Sequence, residues 1–167
     1  VRSYLSNQER TAGFLQAFQE EGLSIPPELI LETGSWLYDA AEKVCLNFFN
    51  TYTGEMPTAL FAFNDRLATG AINAICKTGR TVPDDVSVIG YDNLGYYNII
   101  SPRITTVETH IEAISESTVM HMIWQLNNGS CLPVKVLTPV EVISGETVRS
   151  LLAKFTSAIH FYIFCQK

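Results

Sequence analysis

The chain has 167 residues, of which 47% are hydrophobic, and it carries a formal net charge of -6 at pH 7. A chain of this length buries one sizeable core, which places it among globular domains. Because the eleven lysines and arginines are scattered and outnumbered by acidic residues, the composition argues against a segment that grips a polyanion such as DNA by itself.

Cysteine and histidine are too widely dispersed to suggest a metal site or a disulfide framework. No CxxC pair occurs, and no pair of histidines stands near a cysteine. We therefore expect no metal, reduced thiols and a cytoplasmic setting. The residues concerned are Cys45, Cys76, Cys131 and Cys165, with His110, His121 and His160.

The first predicted elements are a helix that stops at Gly22 and a strand over residues 29–32. Ser6 and Glu9 have the spacing of a capping box at the start of the helix. The strand follows a Pro-Pro pair and leads into Thr-Gly-Ser-Trp, so Trp36 stands at its carboxyl end. A second helix is predicted after it, because apolar residues recur there at helical spacing.

Residues 56–93 repeat one plan twice. An apolar run at 60–63 stops at Asn64, where an amphipathic helix begins, and a second run at 86–90 stops in a Tyr-Asp-Asn sequence that contains Asp92. In an open parallel sheet, the carboxyl ends of the strands form the crevice that takes the ligand. Two independent strands therefore direct Asn64 and Asp92 to one place.

The remaining pattern predicts the fold class. A helix is expected over about residues 111–126, followed by a return strand over 134–143 that Pro139 interrupts. Because strands and helices alternate along the chain, we predict an α/β domain with a doubly wound, mostly parallel sheet.

Several ordered blocks of sequence resemble the effector-binding core of the lactose/galactose repressor (LacI/GalR-type) family. In chain order they are SNQERTAGFLQAFQEEGLSIPPELI, PTALFAFND, GAINAI, VPDDVSVIGYDN, SPRITTV and PVEVISGETV. The resemblance implies a two-lobed, periplasmic-binding-protein-like fold. This chain would hold mostly the second, carboxyl-terminal lobe, in truncated form.

The resemblance also divides the chain. Residues 1–106 are assigned to the second lobe, lacking its first strand, and residues 138–149 to a return strand. Residues 107–137 are expected to form a crossover helix segment that belongs with the absent first lobe, so its apolar face lacks its usual partner. Residues 150–167 depart from the family pattern as an atypical apolar tail. The expected apolar face comprises Ile111, Ile114, Val119, Met122, Ile123 and Leu126.

Matched residue by residue, the family's ligand contacts fall on Arg10, Trp36, Asn64 and Asp92. A tryptophan platform suits the apolar face of a sugar or nucleoside ring. A carboxylate, an amide and a guanidinium suit the hydroxyls around that ring. Two further residues match effector-facing positions, although a helix cap and a loop position also explain them; they are Ser6 and Thr109.

The four main candidates also have structural interpretations. Asp92 could cap a turn, and Asn64 could cap the helix that follows it. Arg10 could be a solvated surface residue, and Trp36 could shield the edge of the sheet. The convergence of strand ends and the family match favour the ligand interpretation.

The tail after Val148 has two open interpretations. Its apolar residues fall near one helical face, and the apolar stretch at 159–165 is too short to span a bilayer. The tail is either an additional oligomerisation helix, of the kind that some relatives carry, or a non-native extension. The residues near the helical face are Leu151, Leu152, Phe155, Ile159 and Tyr162.

The resemblance implies an effector-sensing regulatory domain that binds a small sugar or sugar-like molecule between two lobes. Lobe closure would alter the operator DNA affinity of a helix-turn-helix headpiece that is absent from this chain, because the two sites are thermodynamically coupled. The resemblance also implies a homodimer with contacts at 67–77 and 96–100, a cytoplasmic location, no cofactor and no membrane partner.

Two other classes of function stand beside this one. A periplasmic sugar-binding receptor of a transporter shares the two-lobed architecture, although four unpaired cysteines and the VPDDVSVIGYDN block speak against it. A sugar-modifying α/β enzyme would need a catalytic constellation, and the sequence contains no Gly-rich phosphate loop, GxSxG elbow or Cys-His pair. We therefore expect no enzymatic activity.

Overall fold

The computed structural model of the protein describes residues 4–95, 101–129 and 133–150 in full, and the backbone of one further strand at 161–165. Helices and strands alternate along this part of the chain. In order, the elements are α1 (Leu5–Glu20), a 3-10 turn (Pro27–Leu29), β1 (Ile30–Glu32), α2 (Tyr38–Thr51), β2 (Ala59–Ala62), α3 (Asp65–Lys77), β3 (Ser87–Ile89), β4 (Thr106–Glu108), α4 (Ile111–Asn128), β5 (Glu141–Ile143) and β6 (Phe161–Cys165).

The central layer is a parallel sheet with the strand order β1-β6-β2-β3. Leu60 of β2 lies opposite Val88 of β3 and opposite Tyr162 of β6, so β2 is paired on both sides. Strands β4 and β5 form a separate antiparallel pair, in which Val107 lies opposite Val142. The predicted α/β fold class with a mostly parallel sheet is confirmed.

The core lies between the sheet and the helices α2 and α3. Phe63, Leu67 and Val88 are fully buried there, and burial of each such side chain contributes about 1.5–3 kcal/mol. The two helices approach closely at Gly70, where a Cβ atom would collide with the carbonyl oxygen of Tyr38. This packing therefore requires a glycine.

Helix α3 begins where the sequence predicts. Its N-cap residue, Asn64, accepts a hydrogen bond from the backbone N–H of Leu67 at 2.8 Å. Asp65 in the first turn and Lys77 in the last turn complement the helix dipole. The predicted capping role of Asn64 is confirmed.

Two predicted boundaries are wrong. Tyr4 is the N-cap of α1 and no side chain caps it, so Ser6 lies inside the first turn and does not cap the helix with Glu9. The return strand forms only over Glu141–Ile143. Upstream of it, Pro139 lacks the backbone N–H that a strand ladder needs.

The tail contains a strand where the sequence suggested a helical face. Residues 161–165 form β6, so Tyr162 is extended and its assignment to a helix is wrong. The physical reason is that aromatic and β-branched residues favour strands when two neighbouring strands are available for pairing. The rest of that predicted face, at 151–159, lies outside the described residues, as do the predicted dimer contacts at 96–100.

Helix α4 lies outside the core, because none of its residues is buried. Leu126 is 76% exposed and Met122 is 53% exposed. The apolar face predicted for this helix is therefore largely uncovered among the described residues. Within the same part of the chain, we find no helix with the length and apolar character needed to cross a membrane.

Candidate functional site

Four elements bring polar and aromatic side chains to the carboxyl edge of the parallel sheet. Trp36 follows β1, Asn64 follows β2 and Asp92 follows β3, while Arg10 reaches the same edge from α1. These residues surround an open cavity of about 280 Å³, close to the lower end of the range typical of small-molecule sites. We call it the strand-end cavity; its lining residues are Ser6, Arg10, Trp36, Asn64, Asp65, Arg66, Asp92 and Leu94.

Arg10 joins α1 to the ends of β2 and β3. Its Nη2 atom donates a hydrogen bond to Asp92 Oδ1 at 3.1 Å, and its Nη1 atom donates to the backbone carbonyl of Phe63. The guanidinium carbon lies 3.9 Å from the centroid of the Tyr91 ring, in cation–π geometry. These three contacts fix the guanidinium at the wall of the cavity.

Asp92 occupies a backbone conformation that L residues rarely adopt. Its φ is 98°, and aspartate and asparagine tolerate positive φ better than most residues. Its backbone N–H donates to the carbonyl of Val107 at 2.9 Å, which holds the turn after β3. Burial raises the pKa of the Asp92 carboxyl, and the neighbouring Arg10 guanidinium opposes that shift. An outlier held in place in this way is typical of functional sites.

Asp65 is a second carboxylate beside the first, and it is only 2% exposed. Its Oδ1 atom accepts a hydrogen bond from the Thr106 hydroxyl at 2.6 Å. Burial raises the pKa of Asp65 to about 6; the hydrogen bond from Thr106 opposes this, and the charge of Asp92 adds to it. A Cβ atom at Gly90 would collide with Asp65 Oδ1, so the close approach of β3 requires a glycine.

Trp36 and Asn64 complete the polar and aromatic lining. The Trp36 ring is half-buried and meets the Tyr4 ring edge to face, with centroids 5.6 Å apart. Asn64 is buried, and its Oδ1 atom accepts the helix N–H of Leu67. Because the oxygen is used by the helix, the amide nitrogen carries the donors that suit a ligand oxygen.

The structure brings together five of the six residues singled out by the sequence. Arg10, Trp36, Asn64 and Asp92 line the strand-end cavity, and Ser6 joins them from the first turn of α1. Thr109 is not among the lining residues; its hydroxyl lies 3.4 Å from the backbone carbonyl of Asp92, to which it donates. Ligand contact by these residues stays a prediction.

Among the residues of this region to which sequence reasoning gave no role, two lie beside predicted ligand residues. Tyr91 lies under the Arg10 guanidinium, and Asp65 is buried next to Asp92. Each directly neighbours a predicted ligand residue in the sequence, and that adjacency was the available signal. The contacts themselves are non-local, since Arg10 and Tyr91 are far apart in the chain.

Two other cavities are lined by residues that the structure describes. One of about 480 Å³ adjoins the strand-end cavity, shares Ser6 and Arg10 with it, and has an aromatic wall that includes Phe61 and Tyr91. The other, of about 370 Å³, lies along α4 beside His121 and is remote from the strand ends. In the described part of the chain, no group of three or more His, Cys, Asp or Glu residues is arranged to hold a metal ion.

Comparisons with known proteins agree on the kind of domain. Residues 2–148 match the family described as periplasmic binding protein-like domain. The chain is 31% identical over 157 residues to the "Probable HTH-type transcriptional repressor ExuR" of Bacillus subtilis (strain 168), over 90% of this chain and 44% of ExuR. It is 44% identical over 103 residues to the HTH-type transcriptional repressor PurR of Vibrio parahaemolyticus, over 62% of this chain and 30% of PurR.

A solved structure extends this similarity to the fold. The lac repressor dimer bound to operator and the anti-inducer ONPF matches with a TM-score of 0.73 and 26% identity, over 87% of this chain and 49% of that chain. The present chain spans less than half the length of the curated relatives named above. The resemblance to the lactose/galactose repressor family is confirmed. The named curated relatives are transcriptional repressors.

Proposed function

The chain belongs to the periplasmic binding protein-like domain family. On that premise, we propose that it is the effector-binding lobe of a LacI-type transcriptional repressor. A small sugar or sugar-like effector would bind between this lobe and a second one and draw the two together. Closure would change the operator affinity of helix-turn-helix headpieces in a homodimer, because effector and operator sites share one conformational equilibrium. The proposed ligand contacts are Arg10, Trp36, Asn64 and Asp92.

The convergence of these four residues on the strand-end cavity carries the proposal. Two arginines and two aspartates line the cavity, so its charges are balanced and suit a neutral ligand with several hydroxyl groups. Trp36 offers a flat apolar surface to a ring, while the Arg10–Asp92 pair offers charged donors and acceptors at its rim. This combination of one aromatic face and a few fixed polar groups is typical of carbohydrate recognition.

The exposed apolar residues of α4 support a two-lobed arrangement. Ile123 and Leu126 of α4, and Val142 of β5, are all more than two fifths exposed. Soluble proteins rarely leave large contiguous apolar patches in water. We propose that this crossover segment, residues 107–137, packs against the other lobe, and that the homodimer uses residues 67–77 and 96–100.

The test is an Asp92→Asn substitution in the full-length protein that carries this chain. Asparagine tolerates the positive φ of this position, so the change removes charge without forcing the backbone to move. Loss of charge-assisted hydrogen bonds, worth about 1.5–3 kcal/mol each, should weaken effector binding by roughly 10-fold to 100-fold. Calorimetry with a monosaccharide, a disaccharide, a hexuronate and a nucleoside would identify the effector class and measure the loss.

The matched control is Asp84→Asn, since Asp84 is an exposed aspartate in a turn away from the cavity. It should leave effector affinity unchanged. Operator titrations on both variants should show normal binding without effector, and only Asp92→Asn should lose the response to it. Equal effector affinity in the parent and in a folded Asp92→Asn protein would remove Asp92 from the site. Absence of binding by every ligand class in the parent would reject the carbohydrate proposal.

A further inference from the structure

The turn that carries Asp92 is folded around a side chain from another element. Asp65, the first residue of α3, donates its backbone N–H to the carbonyl of Tyr91 at 2.9 Å. Its carboxylate accepts hydrogen bonds from the backbone N–H groups of Leu94 and Asn93. Asp65 therefore holds residues on both sides of Asp92 in the sequence.

This turn needs support, because its backbone is strained at two successive positions. Asp92 and Asn93 have φ values of 98° and 50°, in a region that residues other than glycine rarely adopt. Such conformations persist only where the surrounding structure over-determines them. One contact comes from β4, where the carbonyl of Val107 accepts the Asp92 N–H at 2.9 Å. The hydrogen bonds to Asp65 add support from α3.

Asp65 is itself held firmly enough to provide this support. It is 2% exposed, and its Oδ1 atom accepts the Thr106 hydroxyl at 2.6 Å. The backbone after β3 comes so close that a Cβ atom at Gly90 would collide with the same oxygen. The charge of Asp92 opposes ionisation of Asp65, but that charge is paired with Arg10 at 3.1 Å. These neighbours leave the Asp65 carboxylate little room to move.

We propose that Asp65 is a positioning residue for effector binding, whose carboxylate holds the turn after β3 in the conformation that places Asp92 at the strand-end cavity. The inference rests on the proposed role of Asp92 as a ligand contact. Asp65 acts through the turn, because three donors already share its two carboxylate oxygens and almost none of its surface is exposed. Without these hydrogen bonds the turn would sample other conformations, and effector affinity would fall with the population of the competent one.

The first experiment needs no ligand and measures amide hydrogen exchange in the full-length protein that carries this chain. Asp65→Ala removes the acceptor around which the turn is folded. In this variant, the amides of Asp92, Asn93 and Leu94 should exchange about 10-fold faster than in the parent, because their hydrogen bonds open together with the turn.

The matched control is Asp85→Ala, which makes the same change in another turn. The Asp85 carboxylate accepts the backbone N–H and the hydroxyl of Thr81, each at 2.7 Å, near the amino end of β3. This variant should leave exchange at residues 92–94 as in the parent. Equal acceleration there in both aspartate variants would overturn the proposal, because the effect would then be a general loss of stability. Faster exchange that spares Asp92 would also overturn it, since Asp92 would then keep its place without Asp65.

Gly90→Ala keeps the experiment decisive if Asp65→Ala does not fold. The new Cβ atom would push the Asp65 carboxylate from its place and leave every hydrogen-bonding group present, so the same amides should exchange faster. Parent-like exchange in Gly90→Ala, or unprotected amides at Asn93 and Leu94 in the parent, would overturn the proposal.

The second experiment is calorimetry with D-glucose, sucrose, D-glucuronate and adenosine as probes. Asp65→Ala should bind any probe that the parent binds about 10-fold more weakly, because the competent turn is less populated. Asp85→Ala should match the parent. Unchanged affinity in a folded Asp65→Ala protein would overturn the proposal. If the parent binds none of the probes, the proposed effector function fails, and the exchange result still decides how Asp92 is held, so the two failures are distinguishable.

Discussion

The sheet core and the crossover region use apolar residues in opposite ways. In the core, α3 places Leu67 and Ile75 fully out of water against β2 and β3, and Phe63 is buried with them. In the crossover region, α4 buries none of its residues, and its large apolar side chains, apart from Ile114, are about half to three quarters exposed. One region completes its own core, whereas the other presents a surface that suits a partner.

Two leucine substitutions test this contrast with the largest expected effect. Leu67 is 0% exposed in α3 and Leu126 is 76% exposed in α4. Leu67→Ala should lower the free energy of unfolding by about 2–5 kcal/mol, because it leaves a cavity and loses apolar burial. Leu126→Ala should change it by less than about 0.5 kcal/mol. Urea unfolding of both variants measures the difference, and equal losses would show that α4 is covered in solution.

The two regions should also respond to pH with opposite sign. An unfolded aspartate titrates near pH 4, whereas burial raises the pKa of Asp65 to about 6 in the folded chain. Between these values only the folded state keeps the proton, so the Asp65 contribution to the unfolding free energy should fall by roughly 3 kcal/mol as pH rises from about 4 to 6. Unfolding curves of Asp65→Asn should be flatter over this range, and those of Asp84→Asn should not.

Glu108 of β4 provides the opposite case. A hydrogen bond from the Asn93 amide at 2.5 Å, followed by one from the backbone N–H of His110, lowers the pKa of Glu108. A lowered carboxylate pKa contributes stability that is present above the unfolded value and is lost as pH falls through the folded one. Glu108→Gln should therefore destabilise the chain at neutral pH more than at pH 3. The same sign for Asp65 and Glu108 would contradict the assigned environments.

A smaller effect is expected where the helices begin. Asn64 caps α3 with its side chain, whereas His110 at the start of α4 makes no side-chain cap hydrogen bond. Asn64→Ala should cost about 1 kcal/mol of unfolding free energy, and Asn64→Ser should recover most of it. His110→Asn should change stability by less than about 0.5 kcal/mol, because asparagine also tolerates the left-handed conformation found there. Comparable losses at the two positions would argue for an undetected cap on α4.

The last prediction concerns self-association of the chain, which should have the smallest effect on the free energy of unfolding. We expect the isolated chain to self-associate through the exposed face of α4, since apolar surface of this kind favours oligomers. The double substitution Met122→Lys and Leu126→Lys should abolish the concentration dependence of the sedimentation coefficient while leaving urea unfolding of the dilute protein unchanged. A parent chain that sediments as a monomer at every concentration would reject this expectation.

The sequence predicted much of the local structure and part of the site. The helices α2, α3 and α4 and the strands that precede Trp36, Asn64 and Asp92 follow from short-range apolar periodicity and turn residues. The predicted start of α1 is wrong, because the capping-box spacing at Ser6 predicts a later start than the observed N-cap at Tyr4. The return strand is shorter than its apolar pattern predicts, because apolar residues alone do not supply the backbone donors that a ladder needs.

The sequence by itself determined which residue types stand at the strand ends, because the apolar periodicity of strands and helices depends only on residues that are close together in the sequence. The tertiary structure alone decided that Arg10 pairs with Asp92 over the Tyr91 ring and that Asp65 is buried under Thr106. It also decided that the end of the chain supplies the central strand of the sheet. Strand order is set by competition among distant apolar segments for the same backbone partners, and no local pattern records the outcome of that competition.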